Sequence, residues 1–179
     1  MRLWSPDWRN GEALPERHAR ARLDGLGRLV PSANLSPALK WSGLPAGTRA
    51  LVLLAQDLDA LDLDALVPTA PPPGPGDDWP ADAPRHESVF WLVTDLSPAV
   101  FELAEGQPGY AGPQPAPNDA LVHHLVFALY ALAVPRLEID GQRSAQALRQ
   151  AIGAHVLGSA THSGTCTLNG RLLGLGPAA

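Results

Sequence analysis

Two residues stand out as able to do chemistry: an acid and an imidazole, each at the edge of an apolar segment. Asp57 follows the run Ala50-Leu51-Val52-Leu53-Leu54-Ala55, and His123 opens the apolar part of the stretch from Leu121 to Val134. A carboxylate can orient a histidine or hold its proton, and an imidazole together with loop N–H groups can receive a small anion. Joined by a serine such as Ser36 or Ser163, the same pair would make a hydrolase. No Gly-x-Ser-x-Gly elbow occurs and both serines fall in loop sequence, so hydrolysis is the minor alternative and no catalytic residue is expected.

Metal chemistry finds little support in the spacing. Asp57, Asp59, Asp62 and Asp64 crowd one segment, but the glycine and terminal glutamate of an EF-hand loop are missing, so the segment reads as solvated acidic chain. His123 and His124 diverge on any strand, and neither a His-x-His nor a His-x-x-x-His pair exists. The single Cys166 makes neither a disulfide nor a cysteine zinc site and reads as a small buried hydrophobe. No metal and no cofactor are expected. His86 reads as a solvated loop histidine.

The elements that must position these groups are short. Nineteen prolines and seventeen glycines in 179 residues interrupt the chain too often for long helices and favour strands with many turns. Residues 1 to 48 read as loop-rich. The apolar run from Ala50 reads as a buried central strand that ends near Asp57. Residues 61 to 87, rich in Asp and Pro and containing Pro71-Pro72-Pro73, read as a long surface loop. Ser88 to Thr94 has the β-branched and aromatic content of a neighbouring strand. On the longest strand His123, Leu125, Phe127 and Leu129 share one face, while His124, Val126 and Tyr130 take the other. Ser144 is placed to cap a helix with Leu148, Ile152, Val156 and Leu157 on one stripe and Gly158 as its stop.

Length and composition limit the function classes. One domain of 179 residues with 45% apolar and 17% charged residues belongs to the soluble globular class. A net charge of −5 without a Lys/Arg run argues against nucleic acid. The longest apolar stretch is too short to span a bilayer and the first residues lack a signal-peptide core, so the expected address is the cytoplasm, with no integral membrane association.

Four segments in order carry a resemblance. They are Ser36-Pro37-Ala38-Leu39-Lys40-Trp41 with Leu44 to Thr48, then Asp57-Leu58-Asp59-Ala60, then Gly109-Tyr110-Ala111-Gly112-Pro113-Gln114-Pro115, and last His123 to Phe127 with Tyr130-Ala131-Leu132. Together they resemble the phosphatidylethanolamine-binding, or Raf-kinase-inhibitor-like, family in its bacterial branch. The resemblance covers most of the chain, with His155 to Gly164 standing where the family's closing helix is expected. It implies a mostly β, antiparallel Greek-key sandwich with a C-terminal helix. It also implies a cavity for phosphate-like or carboxylate anions, lined by Asp57, His123, Gly112, Pro113, Phe90 and Leu125.

Departures from the family pattern cut into that cavity. Leu58 replaces the proline of the Asp-Pro-Asp motif, and Phe90 stands where the family has histidine. His124 and Leu125 replace the arginine and tyrosine that follow the motif histidine, and Cys166 takes the place of an aromatic residue. Losing an imidazole and a phenol removes two polar partners, each worth about 1–3 kcal/mol when charge-assisted. The expected function is a small-ligand binding or regulatory protein with a partly degraded pocket, weak toward small anions. The alternative is a non-binding scaffold of the same fold that pairs as a homodimer. Kinase inhibition belongs to eukaryotic members of the family and is not carried over.

Overall fold

The computed structural model describes residues 1–66, 73–74, 77–139 and 144–175. Its centre is a four-stranded antiparallel sheet of β5 (Ala50–Leu61), β6 (Arg85–Leu96), β8 (His123–Leu132) and β9 (Val156–Cys166), in the order β6-β5-β8-β9. A second antiparallel sheet joins β1 (Arg2–Trp4), β4 (Leu39–Ser42) and β7 (Glu102–Leu103), and β2 (Ala21–Leu23) pairs with β3 (Leu29–Pro31) as a separate ribbon. Strand β8 pairs with β5 rather than with β6, the strand before it in this sheet, and the chain between β6 and β8 crosses through β7 of the smaller sheet in a Greek-key connection.

The continuous apolarity of Ala50–Ala55 follows from covering on both faces. Leu51, Leu53 and Ala55 pack with Leu125, Phe127, Leu129 and Trp91 against Leu3, Leu39 and Trp41 of the smaller sheet, forming the sandwich core. Val52 and Leu54 point the other way, onto Leu148 and Ile152 of helix α2 (Ala145–Gly153) and onto Leu137. A strand buried on both faces cannot alternate polar and apolar residues. Helix α2 is capped at its start by Ser144, whose side chain accepts from the Ala147 N–H, and a four-residue helix α1 (Leu63–Leu66) follows β5.

Three expectations change. Helix α2 stops at Gly153, and Val156 and Leu157 begin β9, so all of residues 155–164 but His155 lie in a strand and not in a closing helix. The stripe ending in Val156 and Leu157 had helical spacing, but pairing of β9 with β8 along its length prevails. Gly158 belongs to that strand, where a Cβ would come 2.9 Å from the Pro45 ring. The 61–87 loop is also shorter than read: β5 reaches Leu61, α1 occupies 63–66 and β6 begins at Arg85. Pro71, Pro72 and Pro75 lie outside the described residues.

The free edge of β9 is covered by the chain near the N-terminus. Gly11 and Leu14 N–H groups donate to Ser163 and Thr165, and the Thr165 N–H donates back to Glu12. Ala13 forms a parallel bridge with Thr165, and the Trp8 indole N–H donates to the Ser163 carbonyl. Among the described residues no helix is long and apolar enough to cross a membrane.

Candidate functional site

Asp57 and His123 come from neighbouring strands and meet. Asp57 stands opposite Leu125 in the β5–β8 register, two residues from His123 and on the same inward face. The His123 Nδ1 lies 2.8 Å from Asp57 Oδ2, and both side chains are buried. On its other side the ring meets a second carboxylate, with Nε2 2.9 Å from Asp119 Oδ2. A carboxylate oxygen accepts, so both ring nitrogens carry hydrogen when both contacts are made and His123 is an imidazolium.

Asp119 is fully buried and held by more than the histidine. Arg85 clamps it with two charge-assisted hydrogen bonds of 2.6 and 2.9 Å, and Oδ1 also accepts from the Leu121 N–H. Arg85 donates further to the Asp59 and Pro80 carbonyls, and Asn169 to the Asp119 carbonyl. Asp57, His123, Asp119 and Arg85 thus form a buried chain of alternating charge that neutralises itself. Desolvation opposes charge on His123, but hydrogen bonds and charges from Asp57 and Asp119 outweigh it and hold the pKa above the ordinary value. For Asp119 desolvation is likewise outweighed, by Arg85, Leu121 and His123, and the carboxyl titrates lower than usual.

Aromatic residues bound the site on the side of β6. Phe90 packs edge-on to Tyr110 and Phe127, and Tyr110 edge-on to Trp91. Leu125 is completely buried. Cys166, opposite His123 in the β8–β9 register, is a thiol whose pKa burial and the Asp57 charge push up to about 12. Burial also raises Tyr110, whose hydroxyl donates to the His18 carbonyl.

Gly112 and Pro113 turn their backbone to other partners. The Gly112 N–H donates to Asn34 Oδ1 at 2.8 Å, and the Pro113 carbonyl accepts from Arg20. Asn34 takes a left-handed backbone, φ 53°, which asparagine tolerates better than most residues. The loop donor that an anion would need is therefore already used. His124 lies on the exposed face against Asp59, and His86 is exposed opposite Ala60, so neither supplies an imidazole to the site. Ser36 accepts from the Gln107 N–H and Ser163 donates to Asn10, while both nitrogens of His123 face carboxylates. Arg85 and Asp119 were missed in the sequence because both fell in segments read as loop; the signal available was an acid four residues before His123.

The family profile of phosphatidylethanolamine-binding proteins matches residues 4–167. The chain belongs to this family. Members similar to it include the UPF0098 protein YbhB of Escherichia coli, 29% identical over 90% of this chain and 96% of that protein. A UPF0098 protein of Chlamydia trachomatis is 28% identical over 92% of this chain and 97% of its own. The fold is shared with the crystal structure of E. coli YbcL, described as a member of the mammalian PEBP family, at TM-score 0.66 and 21% identity over 93% of this chain and 97% of that one. A Chlamydia trachomatis structure described as a homolog of the family gives a TM-score of 0.64 at 23% identity, covering 92% and 95%. Within this family frame, the second position after the motif histidine, a tyrosine in the pattern, is the fully buried Leu125.

The charge on His123 has a pH signature. A folded-state pKa above the unfolded value gives a stabilising contribution that is complete below about pH 6.5 and is lost as pH rises through the folded value. His18 and His162, whose pKa values burial lowers, act with the opposite sign, so the profile must be read as a difference. The stability advantage of wild type over His123→Gln, from urea midpoints, is expected to shrink as pH rises from about 6.5 into the alkaline range. An advantage that stays constant over that range would contradict the imidazolium.

Proposed function

We propose that this protein is a small-ligand binding or regulatory member of the phosphatidylethanolamine-binding family whose site has lost high affinity for phosphate-type anions. The observation that carries this reading is the saturation of the donors an anion would use. Both His123 nitrogens serve Asp57 and Asp119, and the Gly112 N–H serves Asn34. The buried groups also offer an incoming anion no net positive charge, because the His123 imidazolium and the Arg85 guanidinium are already balanced by Asp57 and Asp119. The surroundings favour a ligand with an apolar body: Phe90 and Leu125 replace polar residues of the pattern beside Tyr110 and Trp91, and among the described residues the buried Trp91 indole N–H has no partner. We read the protein as a binder and not an enzyme, because His123 has no nitrogen left for a nucleophile.

Titration of isotope-labelled protein with phosphoethanolamine tests this. Saturable shifts around His123 are expected only at millimolar ligand; a micromolar dissociation constant with shifts at His123 and Gly112 would overturn the reading. The complete burial of Leu125 also favours the second reading, a non-binding scaffold that pairs as a homodimer. Light scattering separates the two: a stable dimer that ignores both anionic and apolar ligands would favour the scaffold.

A further inference from the structure

A second cluster of titratable side chains lies outside the site just described. Asp7 follows β1, His18 closes the single 3-10 turn Glu16–His18, and Glu105 follows β7. One ligand-type atom from each, the His18 ring nitrogen and two carboxylate oxygens, lies within 4.8 Å of the others. His18 is fully buried beside the Trp8 ring.

The hydrogen bonding of His18 decides what that cluster can hold. Its Nδ1 is 2.9 Å from the Leu35 carbonyl, which can only accept, so Nδ1 carries the hydrogen. In the neutral ring Nε2 is then a lone pair. It is buried, has no hydrogen-bond partner among the described residues, and faces Asp7 Oδ2 at 3.5 Å. Two electron-rich atoms set face to face in a buried place call for a positive species between them. Bonds of 2.0–2.1 Å in a tetrahedral zinc site place neighbouring ligand atoms about 3.4 Å apart, close to the 3.5 Å between His18 and Asp7. A backbone carbonyl on the far ring nitrogen is also the usual support for a metal-bound histidine. Asp7 is held in place to serve as a ligand, since its Oδ2 accepts from the Ala38 N–H and its own N–H donates to Ser5 Oγ.

We propose that Asp7, His18 and Glu105 form a site for a divalent transition-metal cation of the zinc class, with water as the remaining ligand. An imidazole ligand selects such ions over magnesium or calcium. Arg17 now spans the two carboxylates, its Nη2 at 2.5 Å from Asp7 and its Nε at 2.9 Å from Glu105. Its side chain is 42% exposed and free to swing into solvent, so the guanidinium holds the carboxylates until the cation displaces it. Spacing rules for metal sites miss this set because the three ligands come from three distant segments. It departs from the expectation of no metal.

The test is titration of the full chain with cobalt(II), read by visible absorption, and with zinc in competition with a chromogenic chelator. One equivalent is expected to bind with a micromolar dissociation constant, four-coordinate cobalt bands should appear, and His18 ring resonances should move on adding zinc. Glu105→Gln, at a partly exposed position that leaves the fold intact, should weaken binding by about tenfold or more. Arg17→Ala should tighten it, because the competing cation is gone; a purely structural cluster gives no such gain. The proposal falls if wild type takes up no equivalent of cobalt or zinc, or if Arg17→Ala weakens binding. It also falls if Glu105→Gln binds as wild type while His124→Ala, which removes the exposed His124–Asp59 pair, abolishes uptake.

Discussion

Arg85→Ala is expected to destabilise the protein by about 3–5 kcal/mol, the cost of leaving a buried charge without its partner. Asp119 is fully buried, and Arg85 is the cation that meets it with two hydrogen bonds while remaining mostly buried itself. Removing the guanidinium leaves Asp119 to share His123 with Asp57, so three buried groups lose their charge balance together. The Asp59 and Pro80 carbonyls lose donors as well. Equilibrium urea denaturation checks this. Residues in one network do not add, so Arg85→Ala with Asp119→Ala should cost less than the sum of the two single changes. A single-mutant loss below about 1 kcal/mol would place Arg85 among ordinary surface ion pairs and undo the buried-network reading.

Gly112→Ala should be comparably severe, about 3 kcal/mol or more, at the upper end of what overpacking costs. A Cβ at that position would come 2.2 Å from the His18 backbone oxygen, 3.0 Å from the Tyr110 ring and 3.1 Å from Asn34 Oδ1. The nearest of these is backbone, fixed by the Tyr110 hydroxyl that donates to it, and cannot rotate away. Thermal unfolding of Gly112→Ala beside Gly106→Ala separates steric from conformational cost, since a Cβ at Gly106 meets nothing within 4 Å but sits at φ +85°. Equal losses at the two positions would show that the close approach at Gly112 is not what makes glycine necessary there.

Much of the frame was legible in the sequence. The run Ala50–Ala55 announced a strand covered on both sides, and alternation along β8 correctly put His123 with Leu125, Phe127 and Leu129. The proximity of Asp57 and His123 could be inferred from motif order. What stayed hidden was the company they keep. Arg85 sits in a polar stretch whose strand character comes only from pairing with Leu61 at the far end of β5, and no local pattern announces such an extension. Asp119 looks like any loop acid until the fold turns it onto His123. The helix overran because Val156 and Leu157 kept helical spacing by coincidence while the strand they open pairs with β8. Asp7, His18 and Glu105 share no periodicity at all.

The covering of β9 by residues 11–14 bears on how the chain acquires its structure. The partners are about 150 positions apart, so this seam forms only after the chain has been synthesised past Thr165. Pairings of such long sequence separation close late and slow folding. Until they close, the outer hydrogen-bonding groups of the last long strand are an open template for a second chain. Cutting the chain after Leu14 should therefore yield a protein that associates through β9 even where the central sheet has formed.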